Sequence, residues 1–512
     1  MNTKHVWTTF LLLISFFFRK SIANDCAPYR VDDEIIACVC NATYCDGIPD
    51  DNPEVPTEGN SYWYVSNKQG LRMKMSEVKF DNCENFDANI TIIIDSKKKY
   101  QKIIGFGGAF TDATGINIAK LSRATQDQLI RAYYDPKKGS RYTLGRIPIG
   151  CTDFSTRIYT YDDVPGDTLL KNFSLAPEDY NYKIPYIKLA VELNPEVLLF
   201  AAAWTAPLWM KQFDKNITYL KEEYYETYVN YLIKFLDKYE RNGVNIWGIT
   251  PSNEPLLGFM IDNPNITMTW IPKTQANWIA NYFGPTLASS LFNKTLLLTY
   301  DDNRSKLIEY VKAAIEIGGK YIAGIGVHWY LDFIYPATII DRVHEKFPDK
   351  FILMTEASIF NSVWNSSSKL KSEAWQRGEK YILSIIDYMN HWSVGWVDWN
   401  MVLDKTGGPT VVNNNLDAPI IVNPETDEFY KQPLYYAIKH VSRFVDRDSF
   451  RISITGNNSV NSTAFLTPSG ETVIVLYNGA TSTKHIILKD LQKDSKLCLE
   501  LSPQSMNTLK YK

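Results

Sequence analysis

Val197-Leu198-Leu199-Phe200-Ala201-Ala202 is apolar at every position, with no alternation. A strand with one face in water alternates apolar and polar residues, whereas a continuous run suits a strand buried on both faces, as in a parallel sheet. Seven further runs share the pattern: Ile103-Ile104-Gly105-Phe106, Arg146-Ile147-Pro148-Ile149, Ile246-Trp247-Gly248-Ile249, Leu296-Leu297-Leu298-Thr299, Ile322-Ala323-Gly324-Ile325-Gly326-Val327, Phe351-Ile352-Leu353-Met354 and Val394-Gly395-Trp396-Val397-Asp398-Trp399. Amphipathic stretches lie between them. Over 222–241, Tyr224, Tyr228, Tyr231, Leu232, Phe235 and Leu236 fall on one helical stripe, and the pattern predicts further helices over 177–193, 274–291, 305–317, 372–390 and 433–445. Eight strand–helix units predict an α/β fold, a closed (β/α)8 TIM barrel, in preference to an open doubly wound sheet. Gly105-Phe106-Gly107-Gly108 lacks the spacing of a nucleotide-binding loop and reads as a tight turn.

The flanks have another rhythm. Tyr62-Trp63-Tyr64-Val65 and Ile90-Thr91-Ile92-Ile93-Ile94 read as strands, and so do four short β-rich runs between 450 and 488. Their even spacing predicts a small antiparallel β-sandwich appended to the barrel. Residues 24–60 are loop-rich, punctuated by Pro28, Pro49, Pro53 and Pro56.

Composition narrows the function class. Of the 512 residues, 45% are hydrophobic and 22% charged, which sets aside disorder, collagen and coiled coil. The 54 basic residues against 57 acidic ones leave no basic surplus for binding nucleic acid. The N-terminus runs apolar from Val6 to Phe18 and then presents Ser21-Ile22-Ala23, a small-x-small cleavage pattern. A run this short predicts a signal peptide over 1–23, with an anchor retained through Arg19-Lys20 as the alternative. Sequons at Asn41, Asn89, Asn172, Asn216, Asn265, Asn293, Asn303, Asn365, Asn457 and Asn461 fit passage through the secretory pathway. Cys26, Cys38, Cys40 and Cys45 cluster without a nearby His, so disulfides are expected rather than zinc, in any of three pairings. Cys83, Cys151 and Cys498 complete an odd total of seven, so at least one thiol stays free.

In a barrel of this kind, chemistry gathers at the C-terminal ends of the strands. The runs end in Asp153, in Trp204, in Asn253-Glu254-Pro255, in His328-Trp329-Tyr330, in Glu356 and in Asp398-Trp399-Asn400. Indole faces stack on sugar rings, and carboxylates and amides bond to hydroxyls. Glu254 and Glu356 follow strands far enough apart to face each other across the mouth. Two facing carboxyls are what glycoside hydrolysis requires: one donates a proton to the leaving oxygen and the other attacks the anomeric carbon, with about 5–5.5 Å between them in a retaining enzyme. Structural glutamates bonded to loop amides are the alternative. The six His residues form no metal-binding pair, and no G-x-S-x-G elbow is present. His328 reads as a supporting or core histidine rather than a base.

Several longer blocks resemble the acid β-glucosidases (glucosylceramidases) of glycoside hydrolase family 30. They are Cys38-Val39-Cys40-Asn41-Ala42-Thr43-Tyr44-Cys45, Gly105-Phe106-Gly107-Gly108-Ala109-Phe110-Thr111-Asp112-Ala113, Phe173-Ser174-Leu175, Asn253-Glu254-Pro255, Val327-His328-Trp329-Tyr330-Leu331-Asp332-Phe333 and Phe429-Tyr430-Lys431-Gln432-Pro433. The resemblance implies a lumenal β-glucosidase that cleaves glucosylceramide with Glu254 as acid/base and Glu356 as nucleophile. It implies that Asp153, Trp204, Asn253, Trp399 and Asn414 hold the glucose, that Tyr330 lines the pocket, and that Arg146 and Trp329 support it. No metal or organic cofactor is implied. The implied disulfides are Cys26–Cys38 and Cys40–Cys45. The implied domains are a small sheet from 24–59 packed with about 403–432, a sandwich from 60–100 and 446–512, and a barrel from 101–402 and 433–445.

The implied partners are glucosylceramide in membranes, an anionic lipid surface and a saposin-type activator, and the implied place is the acidic lysosomal lumen, with secretion as the alternative. Other β-glycosides, or silent carbohydrate or lipid binding, are the competing functions. The chain departs from the family where Ser358 and Thr152 replace frequent cysteines, with Cys151 one place earlier. The apolar loop Leu256-Leu257-Gly258-Phe259-Met260-Ile261 also differs, and is expected either in the core or on a lipid-facing rim.

Overall fold

Eight parallel strands close into a barrel in the computed structural model: β1 (Gly105–Ala109), β2 (Leu144–Ile149), β3 (Leu198–Ala203), β4 (Gly248–Thr250), β5 (Leu296–Asn303), β6 (Ile322–His328), β7 (Phe351–Glu356) and β8 (Ser393–Asn400). The structure describes residues 25–47, 55–360, 370, 373–456 and 459–512, so the leader at 1–23 and the sequons at Asn365 and Asn457 lie outside the described residues. Each of the eight apolar runs supplies one strand. Leu144, Phe200, Leu298, Leu353, Val394 and Val397 form one apolar cluster within the barrel. The ring closes where β8 pairs with β1 through Gly395↔Gly105 and Trp396↔Phe106.

That closure corrects the reading of the glycine-rich stretch. Gly105-Phe106-Gly107-Gly108 is strand β1 itself and not a turn. A Cβ on Gly107 would lie 1.9 Å from the Leu144 carbonyl oxygen, so its hydrogen side chain lets β1 and β2 approach.

The expected helices are present, with two modifications. Those expected over 177–193 and 274–291 each contain a wide π-type turn, Asp179–Lys183 and Ile279–Phe283, followed by Ile184–Leu193 and Gly284–Ser289. Pro185 and Pro285 lie just beyond these turns, and each lacks the N–H that a regular ladder needs. Three helices escape the apolar pattern: Asp112–Ala119, Arg123–Tyr134 and Thr338–Lys346. The first buries Asp112, Thr114 and Asn117 together with Ala113, Gly115 and Ile118, so polar residues interrupt the apolar stripe on its inward face. Its start is set by the Thr111 side chain, which accepts from the Thr114 amide.

Besides a short hairpin of Lys211–Asp214 and Ile217–Leu220, two larger sheets flank the barrel among the described residues. A five-stranded sheet joins Pro28–Val31 and Glu34–Asn41 to Glu428–Lys431, Ile420–Asn423 and Val402–Asp404. A nine-stranded sheet combines Asn60–Asn67, Lys74–Lys79 and Ile90–Lys102 with six strands from 450–511, and it folds over a core of Ile92, Ile94, Ile474, Leu476, Leu488, Leu499 and Leu509. Tyr511, from one part of its strand order, donates to Asp490 from another at 2.9 Å. The sandwich is not wholly antiparallel as expected, because Lys484–Asp490 runs parallel to Ile90–Lys102.

Cys26–Cys38 and Cys40–Cys45 are disulfide-bonded. Cys83–Cys498 is a third bridge, linking the segment after one edge strand to the opposite edge strand, and Cys151 is the buried free thiol. Among the described residues, no helix is long and apolar enough to cross a membrane.

Candidate active site

Arg146, fully buried in β2, organises the C-terminal mouth of the barrel. Its Nη1 donates to Glu356 Oε2 at the end of β7. Its Nη2 donates to Asn253 Oδ1 at 2.7 Å and to Asp301 Oδ2 at 2.8 Å. The guanidinium lies 4.9 Å from the Trp204 ring and 5.3 Å from the Trp399 ring, and those two indoles stack with centroids 5.0 Å apart. A buried cation can stay charged only beside anions. Here the opposing charges of Asp301 and Glu356 outweigh burial and hold the guanidinium above its ordinary range. Tyr330 completes the Glu356 setting by donating to Oε1 at 2.7 Å.

Glu254 occupies the opposite side. Its backbone has φ of 40°, a left-handed conformation costly for a glutamate, and its amide donates to the Asp301 carbonyl at 2.9 Å. His328, at the end of β6, bridges Glu254 Oε1 through Nδ1 at 2.9 Å and Asp301 Oδ1 through Nε2 at 3.2 Å. Burial alone would depress the imidazole. The charge of Glu356 and the bonds to Asp301 and Glu254 instead push it up to about 10. Asp301 is held well below the usual carboxylate range: burial would raise it, but Arg146 and His328 overcome that.

A carboxylate oxygen of Glu254 and one of Glu356 lie within 4.8 Å of each other, with a His328 nitrogen in the same circle. That grouping suits a hydrogen-bonded pair better than a metal. Both His328 nitrogens already face carboxylate oxygens, leaving no lone pair for an ion.

The two glutamates open on a cavity of about 420 Å³ lined also by Asp153, Trp204, Asn253, Tyr330 and Asn414. Asp153 Oδ2 accepts from Asn414 Nδ2 at 2.6 Å. Burial, opposed by that bond and reinforced by the charges of Glu356 and Glu254, pushes the Asp153 carboxyl up to about 7. Trp399 lies behind Trp204, fully buried. Trp329 is not part of this cavity. Its indole N–H donates to the Ser358 carbonyl at 3.0 Å, bracing the loop after β7. The 256–261 loop forms the rim rather than core: Leu257, Met260 and Ile261 line the cavity, and Met260 is 76% exposed.

Three site residues were missed in the sequence, all on β5: Asp301, Asp302 and Asn303. The strand-end rule could have found them, since Leu296-Leu297-Leu298-Thr299 continues directly into Tyr300-Asp301-Asp302-Asn303. The placement of Asn303 weighs against a glycan on its sequon. Its amide nitrogen lies in the pocket, bonded to Glu254 Oε1 at 3.3 Å and Asp302 Oδ1 at 3.2 Å, so a glycan there would leave one N–H for two acceptors and enter the cavity. Asn89, Asn172, Asn216, Asn265, Asn293 and Asn461 are exposed, and Asn41 is half-buried.

Comparison with known proteins agrees with this architecture. The family model described as "Glycosyl hydrolase family 30 TIM-barrel domain" matches residues 103–445, and the "Glycosyl hydrolase family 30 beta sandwich domain" matches 448–509. The chain is 36% identical to a protein named lysosomal acid glucosylceramidase from Mus musculus, over 93% of this chain and 95% of that one. It is also 36% identical to putative glucosylceramidase 4 from Caenorhabditis elegans, over 99% of both. Among solved structures, SrfJ from Salmonella typhimurium superposes with a TM-score of 0.81 at 25% identity, covering 88% of this chain and 99% of that one.

Proposed function

The chain belongs to glycosyl hydrolase family 30 and is a glycoside hydrolase, and from that premise we propose that it is a retaining β-glucosidase acting on glucosylceramide. The observation that carries this reading is the approach of the Glu254 and Glu356 carboxylates to within 4.8 Å. An inverting enzyme needs room for a water between its carboxyls, about 6.5–9.5 Å, whereas a nucleophile and an acid working on one bond sit closer.

In the first step Glu356 attacks the anomeric carbon, the bond to the ceramide oxygen breaks, and Glu254 gives that oxygen its proton. In the second step Glu254 takes a proton from water as the water oxygen attacks the glycosyl ester, releasing glucose and the Glu356 carboxylate. Arg146 and Tyr330 orient Glu356 for attack. Asp153, Asn253 and Asn414 offer polar groups to the sugar hydroxyls, and Trp204 offers an aromatic face.

Glucosylceramide in a membrane is the substrate of this reading, with an anionic lipid surface and a saposin-type activator as partners. The exposed Phe259, Met260 and Ile261 on the rim support a lipid-facing mouth. Three disulfides and the lysosomal relative support the secretory pathway, with the lysosomal lumen as destination.

The test is trapping with 2-deoxy-2-fluoro-β-glucosyl fluoride, followed by peptide mapping. Label on the peptide containing Glu356 is the expected result, and label elsewhere, or none, would sink the assignment. Assaying glucosylceramide vesicles beside aryl β-glucosides decides the aglycone, and β-xylosides decide the sugar.

A further inference from the structure

Glu254 Oε1 receives two hydrogen-bond donors. His328 Nδ1 reaches it at 2.9 Å and Asn303 Nδ2 at 3.3 Å. A carboxylate oxygen has two lone-pair sites, so Oε1 is filled and a proton on this carboxyl belongs on Oε2. The Asn303 amide is itself held by carboxylates on both sides, since the same Nδ2 reaches Asp302 Oδ1 at 3.2 Å. Asp302 is in turn fixed by the amides of Asn303 at 2.6 Å and Leu256 at 3.1 Å. Among the described residues the buried Asn303 Oδ1 has no hydrogen-bond partner, so the contacts that orient the amide are those of its nitrogen to the two carboxyls.

We propose that Asn303 is a positioning residue for the acid/base: with His328 it occupies one oxygen of Glu254 and so assigns the transferable proton to the other. This rests on the reading of Glu254 as the acid. The charged and titratable groups around Glu254 are His328 from β6, Asp302 from β5, Asp301 behind His328, Glu356 and Tyr330 across the cavity, Asp153 beyond them and Arg146 behind Glu356. Asn303 is the neutral donor placed between the carboxyls of Glu254 and Asp302. Removing it takes one stabilising bond from the ionised form of Glu254 and frees the carboxyl to rotate.

The test compares two substrates. Cleavage of 2,4-dinitrophenyl β-glucoside needs no proton on its leaving group, whereas cleavage of octyl β-glucoside does. Asn303→Ala is expected to lower kcat/KM for octyl glucoside about tenfold, part of the roughly 10²–10⁴ that general acid catalysis supplies, and to change the dinitrophenyl value by less than about twofold. Its alkaline limb with octyl glucoside should move to higher pH, and Asn303→Gln, which keeps the amide, should recover part of the loss. Ser305→Ala deletes the sequon while leaving Asn303 in place, and should match the wild type on both substrates. Equal losses on both substrates, no loss on either, or a Ser305→Ala variant that copies Asn303→Ala would overturn the proposal. If Asn303→Ala does not fold, Asn303→Ser is judged by the same ratio. Glu254→Gln separates the two layers: without leaving-group discrimination in that variant, the acid assignment itself fails, whatever Asn303 does.

Discussion

The two halves of the catalytic mouth hold the same side chain in opposite ways. Glu356 lies between a permanent buried cation, Arg146, and the Tyr330 hydroxyl. Glu254 is met by an imidazole and an amide, with the buried carboxyl of Asp302 on the far side of that amide. Burial and the charge of Glu254 push Asp302 up to about 7. In the proposed mechanism the nucleophile faces a guanidinium, whereas the acid/base faces a histidine raised to about 10 and, beyond the amide, a carboxyl raised to about 7. The second half thus holds the groups whose protonation the surroundings have shifted most. The chemical difference between the halves therefore comes from what surrounds two identical side chains.

The sharpest way to break this comparison is to exchange the roles. Glu356→Gln should keep the fold and reduce turnover by at least about 10⁴-fold on every glucoside, because no other group can form the covalent intermediate. Wild-type-like rates would place the nucleophile elsewhere. Glu254→Gln should cost about 10²–10⁴-fold on poor leaving groups and far less on dinitrophenyl glucoside, with added azide yielding β-glucosyl azide. Recovery of α-azide would mean that the enzyme does not retain configuration.

A smaller effect concerns the cation. Arg146→Met strands the Asp301 and Glu356 carboxylates in a buried site, and should destabilise the fold by about 3–5 kcal/mol in urea unfolding. A loss under about 1 kcal/mol would show that water relieves the site.

The smallest expected effect is on stability against pH. Burial raises the carboxyls of Asp153, Asp302 and Asp332 to about 7, the last despite Arg304. The folded chain then binds protons that the unfolded chain releases near its ordinary carboxyl range, so stability falls as pH rises from about 4 through 7. His328, raised to about 10, acts in the same direction: its contribution is complete below about 6.5 and is lost as pH climbs through 10. Asp301, held low, contributes at every pH above its ordinary range and does not alter the trend. Tm should therefore be higher at pH 5 than at pH 8, and the reverse order would contradict the protonated state of these buried acids.

The exposed mouth and the buried ring beneath it also differ in how far they could be read in advance. Apolar runs such as Phe351-Ile352-Leu353-Met354 announce strands because burial on both faces constrains every residue. Glu356 is legible because it ends such a run within two residues, and Glu254 because it stands in the short loop after one. The Asp112–Ala119 helix was not legible, since its inward polar residues are satisfied by partners far along the chain, such as Asn117 Nδ2 donating to the Gly408 carbonyl at 2.8 Å. The pocket position of Asn303 was not legible, because a sequon is a local three-residue pattern, while pocket membership depends on Glu254, 49 positions earlier.

By itself, the order of residues determined the barrel, the two glutamates at its strand ends, and the cysteine cluster near the N-terminus. Only the tertiary structure decided that Arg146 joins Asn253, Asp301 and Glu356, that Cys83 meets Cys498 across 415 positions, and that one sheet folds over itself with a single parallel pairing. The reason is physical. Periodicity and burial act on neighbours in the chain and leave a local trace, whereas a buried charge or a disulfide is settled by which distant groups the completed fold brings within a few ångströms.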